Sequence, residues 1–220
     1  LAAVGHDLRT PLAGVKAAVS SLRQRDVSWS EAEQDELLET IEESADRLDH
    51  LITNLLAMSR LQAGALSVSA RPVAVDEVVA GALIGVPAAE VATAVPDDLP
   101  LVLADPGLLE RVIANLVDNA RRFSPPGVPV GVETSYDDGL VRLRVVDHGP
   151  GVAAVDTERM FAPFQRLSDR PSDGGVGLGL AIARGFTEAM DGTLVPSPTP
   201  GGGLTMTVTL PVAAASSEAS

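Results

Sequence analysis

The chain contains no cysteine, and its 220 residues include one tryptophan, one tyrosine and four phenylalanines. Without cysteine it has neither disulfides nor thiolate metal sites, a composition compatible with a reducing compartment. Aromatic residues make up only 3%, so a core has to come from the Leu, Val, Ile and Ala that dominate its 45% hydrophobic content. Positive charge is scarce as well: 16 Lys plus Arg stand against 30 Asp plus Glu, a net charge of -14. Such a chain repels a phosphate backbone, which argues against nucleic acid or an anionic membrane surface as a general partner. Any bound nucleotide would need local donors and a metal ion working against the overall field. No apolar run approaches the ~20 residues that span a bilayer, and no signal peptide precedes the first helical pattern. The chain opens on Leu1 in place of Met, with a chemically suggestive motif in its first two turns. That reads as a piece of a longer protein.

Apolar residues come first as two helical stripes. Leu8, Leu12, Val15, Val19 and Leu22 recur at spacings of four and three, and Leu38, Ile41, Ala45, Leu48, Ile52 and Leu55 do the same. This is the narrow seam of bundled helices. Residues 26–31 separate the stripes, and Ser30 followed by Glu33 predicts a capping box opening the second helix. Two such helices cannot close a core alone; two copies can, as a four-helix bundle, so a homodimer is expected. The pattern breaks around 64–72, which divides the chain into a helical unit (1–66), a mixed unit (67–213) and a small, polar, flexible tail (214–220). In the mixed unit a short strand leads into a helix over 73–86, and 101–104 reads as a strand. Pro106 stands where a first helical turn tolerates it, opening a helix to Phe123. Strands at 128–136 and 140–146 flank the turn Asp137-Asp138-Gly139. A helix near 155–164, a Gly-rich loop over 165–176, a helix over 177–190 and strands at 193–195 and 204–211 complete the order. The fold class is α+β: a helical hairpin, then an α/β sandwich with helices on one face of a sheet.

The first chemical motif is His6-Asp7-Leu8-Arg9-Thr10-Pro11-Leu12. On a helix, the seam centres roughly 200° from His6, so the ring faces out while its helix is gripped from behind. Thr10 lies one turn further on the same face. Asp7 can accept a hydrogen bond from one ring nitrogen and leave the other more nucleophilic. Pro11 offers no N–H to the carbonyl of Asp7, which predicts a bend or bulge there. By itself an exposed His-Asp pair is ordinary, and no second ligand sits at metal spacing on this face.

The mixed unit supplies the context. Asn115 and Asn119 stand four apart on one helix face, where their amide oxygens suit Mg2+, and Arg122 follows on nearly the same side to meet phosphate. Asp147-His148-Gly149-Pro150-Gly151 ends a strand; its carboxylate can accept from an exocyclic amine while the glycines admit a flat ring. Phe161-Ala162-Pro163-Phe164-Gln165-Arg166 leads into the loop, and Gly174-Gly175-Val176-Gly177-Leu178-Gly179 runs into a helix whose N-terminal N–H groups can cradle phosphate. The spacing is neither the Walker pattern nor a dinucleotide fingerprint.

Taken in order, these segments resemble the N, G1, F and G2 boxes of the ATPase group that includes histidine kinases, Hsp90, gyrase B and MutL. The His6 motif resembles the H box of sensor histidine kinases. The stretches 42–66, 123–127, 183–190 and 199–206 are similar to the potassium-responsive KdpD kinases. The resemblance implies ATP as substrate, Mg2+ held mainly by Asn119 with Asn115, and the adenine amine on Asp147 above Gly149 and Gly151. Phe123 would pack on the base, and Arg122 and Arg166 would meet phosphates. Gly175, Gly177, Leu178 and Gly179 would line the phosphate end, under a mobile lid over 165–176. His6 would be the phosphoryl acceptor, Asp7 its base or orienting acceptor, and Thr10 would position water for dephosphorylating the partner. That partner would be a response regulator receiver domain similar to KdpE. The ATP-binding unit would swing about a hinge at Arg71-Pro72, and the chain would be the cytoplasmic part of a membrane-anchored sensor. Asp191-Gly192 departs from the two glycines common in these relatives. Two rival readings remain: an ATP-hydrolysing conformational clamp of the same group, and a dimeric scaffold with a degenerate nucleotide site.

Overall fold

The structure is a computed structural model that describes residues 2–24, 26–165 and 177–213, the side chains of residues 2–4 and 6 excepted. Helix α1 (Ala2–Leu22) and helix α2 (Glu31–Gln62) pack as a hairpin. The turn between them is closed by Trp29, whose indole Nε1–H donates to the carbonyl of Ser21 at 3.1 Å. The capping box forms as the sequence predicts: Ser30 Oγ accepts from the Glu33 N–H, and the Glu33 carboxylate accepts from the Ser30 N–H at 2.8 Å. Those bonds hold the Glu33 carboxyl below its ordinary range, so this cap weakens as pH falls through it. The α1 helix is continuous through Pro11, which is buried.

No residue of the predicted stripes is fully buried: Pro11, Ala18, Leu51 and Ala57, outside them, are buried within the chain, whereas Leu12, Leu38 and Ile52 of the stripes, and Leu56 beside them, keep about half of their surface exposed. The apolar stripe is therefore only partly covered by the hairpin itself.

Beyond the hairpin, strand β1 (Arg71–Val73) pairs antiparallel with β3 (Val102–Ala104) as a separate ribbon. Helix α3 (Val75–Ala82) lies between β1 and strand β2 (Val91–Ala94). The main sheet has the order β2-β4-β5-β7-β6, with β4 (Val130–Asp137), β5 (Leu140–Val146), β6 (Thr193–Pro198) and β7 (Leu204–Pro211). Only the β2–β4 pair is parallel. Period-two patterning sends Val132, Val145, Val208 and Leu210 to the buried face, where helices α4 (Pro106–Phe123) and α5 (Gly179–Ala189) cover them. The other face is polar and carries a Glu133–Arg144 ion pair. The hairpin docks on this unit: Leu51 and Ala57 join the same apolar cluster as Phe186, and Leu61 lies against Gly185, where an added Cβ would meet it at 2.8 Å.

Two expectations need correction. Residues 155–164 form two isolated single turns (Ala154–Asp156 and Arg159–Phe161) instead of a helix. Strand β2 was not expected. Within the Arg71-Pro72 region expected to hinge, these two residues are themselves fixed in a strand pair against Ala104 and Leu103; the connector outside the ribbon lies before them.

At the end of α5 the chain makes a Schellman turn. The Gly192 N–H donates to the Thr187 carbonyl at 2.9 Å and the Asp191 N–H to the Glu188 carbonyl at 3.1 Å. Asp191 holds the left-handed position, with φ 57°, where glycine is the unstrained residue. Asp191→Gly should therefore raise stability by about 0.5–1 kcal/mol, read as a higher thermal midpoint. An unchanged or lower midpoint would mean that the aspartate makes a compensating local contact.

Candidate nucleotide site

Helix α4 is the floor of the candidate site, and its start is well determined. Asp105 caps it, accepting from the Leu108 N–H at 3.1 Å, with Pro106 in the first turn. Leu109, Val112, Ile113, Leu116, Val117 and Ala120 bury one face. Asn115 and Asn119 are left half-buried at its edge. Of the two arginines near its end, Arg121 turns away to Glu90 and Asp118. Arg122 is exposed, its guanidinium 5.6 Å from the centre of the Phe123 ring.

The Asp147 loop closes against the C-terminal end of this helix. Asp147 is 3% exposed, and a carboxylate so placed requires donors. Its Oδ1 accepts the Gly149 N–H at 2.8 Å and the Leu204 N–H at 3.0 Å, while its own N–H donates to the Leu204 carbonyl at 2.9 Å. Among the described residues no donor reaches Oδ2, which leaves one acceptor for a ligand amine. The packing is close enough to dictate glycine. A Cβ on Gly149 would sit 2.6 Å from the Phe123 carbonyl oxygen, and one on Gly203 would overlap the Asp147 carbonyl. Gly151 lies against the carbonyl of Gly203. Gly203 and Thr205, whose hydroxyl bonds that of Thr199 at 2.9 Å, were not picked out as site residues. Their only signal in the sequence is the run Gly201-Gly202-Gly203 before a strand.

The start of α5 closes the other side. A Cβ on Gly179 would lie 3.3 Å from Asn115 Oδ1, so the glycine-rich junction and the asparagine face adjoin. Leu178 is 1% exposed; its side chain belongs to the core, and only its backbone can serve a phosphate. The Phe164 N–H donates to the Gly177 carbonyl at 2.9 Å, which joins the two ends of the loop between them. Phe164 adopts φ 65°, a strained value for a bulky residue at a site edge. Arg184 fixes the preceding segment to α5, its guanidinium 4.9 Å from the Phe161 ring centre and paired with Glu188 and Glu158. The bonds to Glu188 and then Glu158 raise its pKa further.

The structure thus brings two of the expected segments onto α4: Gly149 of the Asp147 loop against Phe123, and Gly179 at the start of α5 against Asn115, with Asn119 and Arg122 on the same helix and Gly177 and Leu178 just ahead of Gly179. Arg166 and Gly175 lie outside the described residues, as do most of the expected lid and the tail. His6 stands on α1, its side chain likewise outside them; Asp7 is half-buried and Thr10 exposed on the same helix. Among the described residues no cluster of three His, Cys, Asp or Glu could cage a metal. A divalent ion here would depend on the carboxamide oxygens and on phosphate, which suits Mg2+. Among those residues, too, no helix is long and apolar enough to cross a membrane.

Residues 104–214 match the family of histidine kinase-, DNA gyrase B- and HSP90-like ATPases, and residues 1–64 match the His Kinase A (phospho-acceptor) domain. The chain is 47% identical over 220 residues to the sensor protein KdpD of Mycobacterium tuberculosis, covering 96% of this chain and 25% of that protein. It is 44% identical to KdpD of Rathayibacter rathayi, covering 100% and 26%. It therefore spans about a quarter of the length of these relatives. Among solved structures, full-length ShkA in complex with AMPPNP superposes with a TM-score of 0.69 at 31% identity, over 97% of this chain and 46% of that one.

The contact of Gly149 with the Phe123 carbonyl leads to a specific expectation. Gly149→Ala should cost about 1–3 kcal/mol of stability and weaken ATP binding, measured by melting and titration calorimetry. Gly107→Ala, where a Cβ meets only ordinary contacts, should leave both unharmed. ATP affinity unchanged in Gly149→Ala would show that this close approach does not shape the site.

Proposed function

Because this chain belongs to the sensor histidine kinases, we propose that it phosphorylates its own His6 from Mg-ATP and passes the phosphoryl group to an aspartate of a response regulator. The observation that carries the reading is the meeting of three distant segments. The Asn115–Asn119 face, the Asp147 loop and the start of α5 adjoin in one chain with a helix bearing a His-Asp pair. A scaffold has no need of so tight a join.

In this reading Asp147 Oδ2 accepts the adenine amine, and Gly149 and Gly151 let the base lie against backbone. Phe123 packs on the base, Arg122 meets phosphate, and N–H groups at Gly177, Leu178 and Gly179 hold the phosphate chain. Asn119 and Asn115 would hold Mg2+, which when bound neutralises phosphate charge. The His6 imidazole attacks the γ-phosphorus; an N–P bond forms as the bond to the β–γ bridging oxygen breaks, and ADP leaves with that electron pair. Asp7 takes or orients the ring proton, and Thr10 positions water for dephosphorylating the regulator. The receiver partner is similar to KdpE and the signal concerns potassium or osmotic stress; both inferences rest on the identity with KdpD. The unit is the cytoplasmic part of a membrane-anchored sensor, and residues 1–66 and 67–213 act as separate functional domains.

The reading predicts label from γ-labelled ATP that is acid-labile, base-stable and absent in His6→Gln. Label that persists in the variant counts against autophosphorylation at this residue. Asn119→Ala should keep its circular dichroism yet lose Mg2+-dependent ATP binding, whereas a degenerate scaffold would bind no ATP even before substitution.

The half-exposed Leu12, Leu38, Ile52 and Leu56 favour a homodimeric bundle. Ile52→Glu should shift the chain towards monomer in sedimentation; a wild-type chain that sediments as a monomer at micromolar concentration would exclude that assembly.

A further inference from the structure

The two oxygens of Asp105 serve different parts of the chain. Oδ1 accepts the Leu108 N–H and caps α4, while Oδ2 accepts the Ser69 N–H at 2.8 Å, from a residue 36 positions earlier. Capping needs only one oxygen, and serine or threonine would supply it. The second oxygen therefore does something the cap does not require: it ties down the connector between the hairpin and the ATP-binding unit.

The place of the tie matters. After Ser69 the connector enters β1, with Arg71 registered on Ala104, the residue next to Asp105. Before Ser69 it runs along a cleft of about 330 Å³, where Ala65, Leu66 and Ser67 face Arg60, Arg111 and Phe186. Ser69 thus marks the point at which the connector stops spanning a cleft and becomes part of the sheet ribbon. Helix α4 begins at the same carboxylate and carries Asn115 about 15 Å further along its axis. Whatever displaces the connector at Ser69 bears directly on the helix that presents the asparagines.

We propose that Asp105 is a positioning residue for phosphoryl transfer: its second oxygen locks the connector to α4, so that the ATP-binding unit pivots only about residues 63–68. The inference rests on the autokinase reading above. With the tie made, motion at the pivot moves the nucleotide site as one body. With it broken, the first strand can peel back and the site loses its fixed relation to His6.

Two substitutions break the tie from opposite sides. Asp105→Ser keeps an oxygen for the Leu108 N–H and has none for Ser69. Ser69→Pro removes the donor and leaves the Asp105 cap intact. In the full 220-residue chain each should lower the rate of His6 phosphorylation roughly tenfold with the KM for ATP unchanged, and the double variant should lose no more than either single one. Amide exchange at Ser69 should quicken in Asp105→Ser. Wild-type rates in the single variants, multiplicative losses in the double, or a KM that rises in step with the loss of rate would overturn the positioning role. Should the wild-type chain leave His6 unlabelled, the autokinase reading fails and the proposal fails with it; labelled wild type beside unaffected variants sinks the proposal alone.

Discussion

A buried carboxylate organises the mixed unit. Asp147 follows β5 with 3% of its surface exposed, and a carboxyl group buried there has to be met by hydrogen-bond donors. Two N–H groups on Oδ1, one from Gly149 and one from Leu204, meet that demand. Satisfying them folds residues 147–149 back on themselves and pins the loop to β7. The loop then comes so near the end of α4 and the start of β7 that Gly149 and Gly203 have no room for a Cβ. Among the described residues no donor reaches Oδ2, so the constraint that shapes the loop also leaves one carboxylate oxygen unmatched.

The floor helix is held at both ends by different means. At its N-terminus Asp105 accepts from two segments; at its C-terminus the Phe123 carbonyl abuts Gly149, and Ser124 Oγ lies 3.5 Å from the His148 N–H. Between those anchors an apolar face runs along the core, so the asparagines inherit the rigidity of the helix. Helix α5 is held similarly, by Phe186 in the core and by Arg184 clasping Phe161, Glu158 and Glu188. Between these held helices the ends of the intervening loop meet, where the Phe164 N–H donates to the Gly177 carbonyl, and the connector ahead of β1 is fastened at Ser69.

Local chemistry was legible in the sequence, and long-range chemistry was not. The capping box at Ser30 and Glu33, the Pro106 start of α4 and the Asp138-Gly139 turn, with φ 50° and 74°, all formed where local pattern placed them. Strand β2 escaped notice because its four residues Val-Ala-Thr-Ala are short and mostly exposed, with alanine at alternate positions; only pairing with β4 makes it a strand. Val155, Met160 and Phe161 imitate a helical stripe, yet Val155 is 82% exposed and the segment breaks into single turns. Arg71-Pro72 reads as a chain breaker but lies in a two-stranded ribbon, where proline at an edge is tolerated. The residues that complete the site, Gly203 and Leu204, lie 57 residues from Asp147 in the case of Leu204; no local window joins them.

Charge explains the style of the site. A chain of net charge -14 carries a field that opposes ATP, itself a polyanion. Among the described residues, several arginines near the site pair with carboxylates: Arg121 with Glu90 and Asp118, Arg184 with Glu158 and Glu188, Arg159 with Asp156. A polyphosphate here would meet the N-terminus of α5, the carboxamide oxygens of α4 and the cation they favour. Fixed dipoles and a divalent ion act at short range, where the diffuse field of surface carboxylates is weakest against them. Neutral oxygens at Asn115 and Asn119 add no further negative charge of their own, as a carboxylate pair would. The same economy divides the chain: backbone and amide groups line the candidate site in one unit, and the His-Asp pair stands on a separate helix.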